Sequence, residues 1–201
     1  MYANASTRHS RQGGAILITA LIILVVLTLL GLAGMNNSIL EQRMAGNTRQ
    51  AQIAFEAAES ALKAGEVWLT TAGNLDTVAQ LVSKFNGSVN GFYAERRPEP
   101  GAAINALAFD VSDPSAWTAA NSIELTGFGG NVAKKPRYII QYVGRTRVST
   151  GNKTLPELDV LDPNSNKPDL REYVFRIVAI GWGADGSAKQ VLQSTLRKRL
   201  N

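Results

Sequence analysis

Few side chains in this sequence could do chemistry. The only histidine is His9, which stands between Arg8 and Arg11 and ahead of a long apolar run. Removal of a leader containing it would leave no histidine, and Ser-His or Cys-His nucleophilic catalysis would go with it. Cysteine is absent, so no disulfide, thiol nucleophile or cysteine zinc site exists. The 16 Asp and Glu residues form no recognisable acid–base pair. Asp162-Pro163-Asn164-Ser165-Asn166 begins like a calcium loop, but Lys167 takes the place of the required Gly and Tyr173 that of the closing Glu. An Asn/Asp/Pro turn explains it better. Gly127-Phe128-Gly129-Gly130 lacks the Lys-Ser/Thr of a phosphate loop and reads as a flexible connection. The 21 Lys and Arg are scattered, the densest group being Arg197, Lys198 and Arg199, and Trp68, Trp117 and Trp182 are too dispersed to stack bases. Hence no enzyme, catalytic residue, metal, cofactor or nucleic-acid partner is expected.

The elements around these residues say more. Ala15–Met35 reads AILITALIILVVLTLLGLAGM, with Thr19 and Thr28 its only polar side chains. About 20 such residues cross a hydrocarbon core as a helix, because lipid offers no partner for a backbone amide. No charge occurs between Arg11 and Glu41. Arg8 and Arg11 on the short side place the N-terminus in the cytoplasm and the rest outside. An ordinary cleaved signal, cut after Ala33, is a poorer fit, because the apolar run is longer than a usual signal core and helical patterning continues beyond it.

Beyond Met35 the first proline is Pro98. Leu40, Met44, Ala51, Phe55, Ala58, Leu62, Gly65 and Leu69 recur at helical steps, with one omitted turn at Asn47. A helix over 15–70 would be roughly 84 Å long, its first half apolar all round and its second half amphipathic. After Thr70 the composition changes, and all seven prolines lie there. The pattern predicts a short helix within Asn74–Phe85 and a helical turn over Ser115–Ala120 capped by Asp113-Pro114. Residues 86–112 and 121–136 read as loops or irregular strands. Strands are predicted at Arg137–Val143, Glu172–Trp182 and Lys189–Arg197, the last two forming a hairpin over Gly183–Ser187. The fold class is therefore α+β: a long N-terminal helix packed on a small antiparallel head over 71–201, with a C-terminal sheet.

Gln12-Gly13-Gly14 followed by Ala15 and the apolar helix resembles the leader of prepilins. The sequence Leu40-Glu41-Gln42-Arg43-Met44-Ala45-Gly46-Asn47, with Phe55, Ala58 and Glu59 downstream, resembles the N-terminal motif of the PilX-type minor pilins of type IV pili. Val191–Thr195 is similar to that family's last strand.

The resemblance implies a leader over 1–14, cleavage by prepilin peptidase between Gly14 and Ala15, and methylation of the new N-terminus. It implies a type IV pilin-like fold, with residence in the bacterial inner membrane, N-terminus cytoplasmic and head periplasmic, before assembly. It also implies partners: other minor pilins, the major pilin and a large tip adhesin, in a tip-located complex at the cell surface that primes pilus assembly and supports adhesion and twitching motility. Major pilins carry Glu at the fifth mature position, where this chain has Thr19. The missing carboxylate suggests a subunit that need not attract another above it. Two alternatives stay open: a tip pseudopilin of a type II secretion system, and an uncleaved single-pass membrane protein with an outside domain.

Overall fold

A computed structural model describes residues 13–146, 149–150, 153–154 and 172–200. One helix, α1 (Gly13–Thr70), contains both the apolar run and the amphipathic stretch. The chain divides into two compact units between Asn47 and Thr48.

In the first unit the sequence dictates a helix without a core. Every large apolar side chain from Ile16 to Leu32 is exposed, Leu17 by 73% and Leu30 by 64%. The two polar side chains fold back onto the backbone. Thr19 Oγ1 donates to Ile16 O at 3.0 Å and Thr28 Oγ1 to Leu24 O at 2.7 Å, so neither hydroxyl interrupts the apolar surface. Among the described residues no helix is long and apolar enough to cross a membrane. Of the expected 15–35 span, the side chains at 15 and 33–35 lie outside the described residues, as does the leader up to Gln12.

The second unit is built on a sheet. Its strands are β1 (Phe92–Ala94), β2 (Ile123–Glu124), β3 (Arg137–Arg145), β6 (Tyr173–Trp182) and β7 (Lys189–Lys198). A separate pair, β4 (Ser149–Thr150) and β5 (Lys153–Thr154), lies between β3 and β6 in the chain. The order across the main sheet is β1-β3-β6-β7, with β2 also on β3. β6 and β7 pair antiparallel from Tyr173↔Lys198 to Trp182↔Lys189, the predicted hairpin. Its turn closes through Gly183 N–H to Ala188 O at 2.9 Å, and Gly186 supplies a φ of +75° that a side chain would strain.

The sheet corrects the expectation of an all-antiparallel head. β1 runs parallel to β3, with Phe92 opposite Ile140, while β2 pairs antiparallel with the start of the same strand. The chain leaves β1, covers one face of the sheet, and returns only as the two-residue β2. The expected Asn74–Phe85 helix is shorter, α2 (Val78–Lys84), because the cap is Thr77. Its hydroxyl accepts from Gln80 N–H at 3.2 Å, and Gln80 Oε1 accepts in return from Thr77 N–H at 3.2 Å. No helix forms after Asp113-Pro114; instead the Asp113 side chain accepts from Ser115 N–H at 2.8 Å and stops the chain in a turn.

Both faces of the inner strands β3 and β6 are buried, whereas β7 alternates between exposed and half-buried. On one, Tyr138, Ile140, Tyr142, Phe175, Ile177 and Ala179 meet the second half of α1, α2 and Phe85. On the other, Tyr93, Ile139, Val178, Ile180 and Trp182 are covered by Leu107, Phe109, Val111 and Trp117 from the long connection. Trp117 Nε1–H donates to Val111 O at 3.0 Å, and Phe109 stands edge-on to Trp117 with centroids 5.6 Å apart, so this irregular segment is held in place. Full burial of each such side chain is worth about 1.5–3 kcal/mol.

Candidate interaction surface on the long helix

α1 presents two kinds of surface. Toward the sheet it offers a stripe of small side chains: Ala54, Ala57, Ala58 and Ala61 are completely buried, followed by Gly65 and Leu69. This stripe lets the backbones come together. A Cβ on Gly181 of β6 would strike Ala54 O and Ala58 N, and one on Gly65 would fall 2.7 Å from Ile177 Cγ2. Polar links fix the register. Asp185 N–H donates to Gln50 Oε1 at 3.3 Å, Ser194 Oγ to Glu66 Oε1 at 2.8 Å, and Lys198 Nζ to Leu69 O at 2.8 Å. The last interaction caps the end of α1, and Lys198 also pairs with Asp76 Oδ1 at 3.0 Å. The Asp76 carboxyl is held below the ordinary carboxylate value, first by the Gly73 N–H it accepts and then by Lys198.

Away from the sheet the second half of α1 exposes Gln52, Glu56, Glu59 and Lys63 and, among them, two large apolar side chains. Phe55 is 46% exposed and Val67 50%. Thr48, Ala51, Gln52, Phe55 and Glu56 border a shallow depression there. The predicted apolar face is thus corrected in register: Phe55 lies off the buried stripe, although Ala58, Gly65 and Leu69 lie on it. Size misleads here, because the face against the sheet is chosen for closeness of approach and therefore for Ala and Gly.

The motif residues separate in the same way. Ala58 is buried in the head, whereas Phe55 and Glu59 are exposed. In the first unit Leu40, Glu41, Arg43, Met44, Ala45, Gly46 and Asn47 are all exposed. Nothing lies within 4 Å of a Cβ built on Gly46. None of these residues is buried in a core. Gly14 and Ala15 lie in the helical backbone of α1, and the exposure of neither is described. Among the described residues no group of three or more His, Cys, Asp or Glu could hold a metal ion. The segment Asp162–Asn166, expected to form a turn, lies outside the described residues.

The sequence reading missed Gln50, Glu66, Asp76, Gly181 and Lys198. The one available signal was the run of small residues Ala54, Ala57, Ala58, Ala61 and Gly65 on one helical face, which asks for a closely approaching strand with its own glycine.

Two family models match the chain. One, described as PilX N-terminal, covers residues 12–63, and the other, described as type IV pilus assembly protein PilX C-term, covers residues 90–198. Neither a curated protein nor a solved structure matches.

Proposed function

Because this chain belongs to the family of the type IV pilus assembly protein PilX, we propose that it is a minor pilin of the pilus tip. It is made as a prepilin, cut between Gly14 and Ala15, methylated on Ala15, and held in the inner membrane through residues 15–35 until assembly. The observation that carries this reading is the uncovered apolar surface of Ile16–Leu32 in a chain whose head has a core of its own on both faces of β3 and β6. A helix with large side chains exposed all round needs lipid or other helices around it. Transfer from one to the other brings little hydrophobic gain, so packing and complementary faces direct it. The exposed residues Leu40–Asn47, Phe55 and Glu59 supply such a face toward other minor pilins and the major pilin.

Thr19 fits a position at the tip. Its hydroxyl is spent on Ile16 O, and it offers no anion to the amine of a subunit above. In this reading the subunit helps to prime pilus assembly and works with a large tip adhesin in adhesion and twitching motility. Its role is structural, without a reaction of its own.

Intact mass and N-terminal sequence of the protein from its native membrane test the proposal. A chain beginning at methylated Ala15 is expected. A chain beginning at Met1 or Gly34 would mean a plain anchor or an ordinary secreted protein. Deletion should remove surface pili while major pilin remains in the membrane; loss of secretion with pili intact would point to a type II secretion system instead.

A further inference from the structure

The sequence holds two Asn-Gly pairs, Asn86-Gly87 and Asn90-Gly91, both in the connection from α2 to β1. Such a pair can react with itself. Without a Cβ on the second residue, its backbone nitrogen approaches the asparagine Cγ unhindered. The fold treats the two pairs differently.

Asn86 and Gly87 are both exposed. Asn86 Oδ1 accepts from Ser88 N–H at 2.9 Å, which folds the carboxamide back along the chain toward the Gly87 peptide. Ser88 is braced in turn, its Oγ donating to Ser83 O at 2.8 Å. The donor on Oδ1 also draws charge from Cγ, as a donor at a developing oxyanion does. A Cβ built on Gly87 would find its nearest atom outside the adjoining residues at 3.8 Å, so the turn stands clear of the rest of the head.

Gly91 is buried. Its carbonyl accepts from Ile140 N–H at 2.9 Å just ahead of β1. A Cβ on it would lie 2.6 Å from Ile123 Cγ1 and 3.2 Å from Ile123 N. Asn90 Nδ2, the group that would have to leave, donates to Ala119 O at 3.4 Å. This second pair is therefore held between neighbouring segments and has no room to turn.

We propose that Asn86 is a site of enzyme-free conversion to aspartate and isoaspartate, with water the only co-reactant, and that the fold spares Asn90. The Gly87 nitrogen gives up its proton and attacks Asn86 Cγ. The Cγ–Nδ2 bond breaks, ammonia leaves with the proton, and a succinimide closes. Water then opens the ring. Breaking the bond from Cγ to the Gly87 nitrogen leaves ordinary aspartate. Breaking the bond from the main-chain carbon leaves isoaspartate, with the backbone routed through Cγ. Either product adds one negative charge to a loop whose ends are fixed. Asn105 N–H donates to Phe85 O and Asn105 Nδ2–H to Phe92 O, each at 2.9 Å, so the change stays within the loop.

The test is incubation of the full chain, purified from its native membrane in detergent, at physiological temperature and neutral pH. Peptide mass mapping with separation of aspartate from isoaspartate reads each pair. Asn86 should convert to both products. Asn90 should convert roughly tenfold more slowly or less, because it reacts only when its surroundings open locally. Mildly alkaline buffer should speed Asn86 severalfold, since the nucleophile is the deprotonated nitrogen. In urea the two pairs should convert at the same rate, because only the fold distinguishes them. The inference falls if Asn86 stays as intact as Asn90 in the folded chain, if both convert together there, or if Asn90 remains slower after unfolding. A sugar on Asn86 would also overturn it, because Asn86-Gly87-Ser88 has the acceptor pattern for N-glycosylation and an enzyme would then own the site.

Discussion

Residues 16–32 and 54–69 belong to one helix, yet their side chains meet different surroundings. In the first stretch Leu17, Leu24 and Leu30 are between 64% and 73% exposed. In the second, Ala54, Ala57, Ala58, Ala61 and Leu69 have no exposure at all. Hydrophobicity alone would rank the first stretch as the better core. What separates them is the partner. The alanine stripe meets a strand bearing Gly181 inside the same chain, while the leucine-rich stretch has no counterpart among the head's strands. The more apolar stretch is therefore the one whose side chains stay uncovered.

The largest effect that could break this contrast is a pair of phenylalanine deletions. Phe85 is 1% exposed and stacks edge-on with Phe92 at 5.2 Å, so Phe85→Ala should cost about 3–5 kcal/mol in a thermal melt of the head. Phe55→Ala should change the same melt by less than about 0.5 kcal/mol, as a surface change does, while reducing incorporation into pili. Equal costs for the two would mean that Phe55 is part of the head's core. A somewhat smaller effect sharpens the other side. Val25 is 47% exposed, and Val25→Asp should cost about 2.5–3.5 kcal/mol of membrane insertion and reduce retention in carbonate-washed membranes. The head's melt should not move, and a shift would tie the apolar stretch to head stability.

How far the sequence made this visible depends on the range of the contacts. β6 and β7 were legible because alternating apolar residues flank Gly183–Ser187, and everything needed to pair them is local. The apolar run was legible from its composition. β1 was not, since three residues give no periodicity and their partner at Ile140–Tyr142 lies far along the chain. The cover supplied by Leu107, Phe109, Val111 and Trp117 was equally hidden, because an irregular segment shows no face until the sheet beneath it is known. The helix face was found in part. Ala58, Gly65 and Leu69 lie where the pattern put them, but the reading favoured bulk and so drew Phe55 inward, where the actual constraint is room for Gly181.

That constraint can be measured directly. Gly181→Ala adds only a methyl group, yet its Cβ would meet the backbone at Ala54 and Ala58, which cannot rotate away. The helix and strand must separate, at a cost of about 1–3 kcal/mol, as for other overpacked sites. The melt of the head reports it. A variant as stable as the parent would show that the small-residue stripe is not what sets the helix–sheet distance.

Acid gives the smallest effect and still separates the two regions. No titratable side chain occurs between Arg11 and Glu41, so pH cannot act on the apolar stretch through its own side chains. In the head, Asp76, Asp113 and Asp185 are all held below their ordinary 3.8. The leading cause is the Gly73 N–H at Asp76, and the hydroxyls of Ser115 and Ser187 at the other two. A depressed folded value means that the folded state favours the charged form. The contribution is therefore fully present above pH 3.8 and is lost as pH falls through the lower folded values. The head's melting temperature should accordingly change little from these groups between neutrality and about pH 5, and fall below pH 3.8. Asp76→Asn should lie below the parent at neutral pH, because Lys198 keeps Leu69 O but loses its counter-charge. The gap between the two should then narrow as the parent's Asp76 takes up its proton. A gap that stays constant to pH 2 would show that the Asp76 charge contributes nothing to holding the last strand against the end of the long helix.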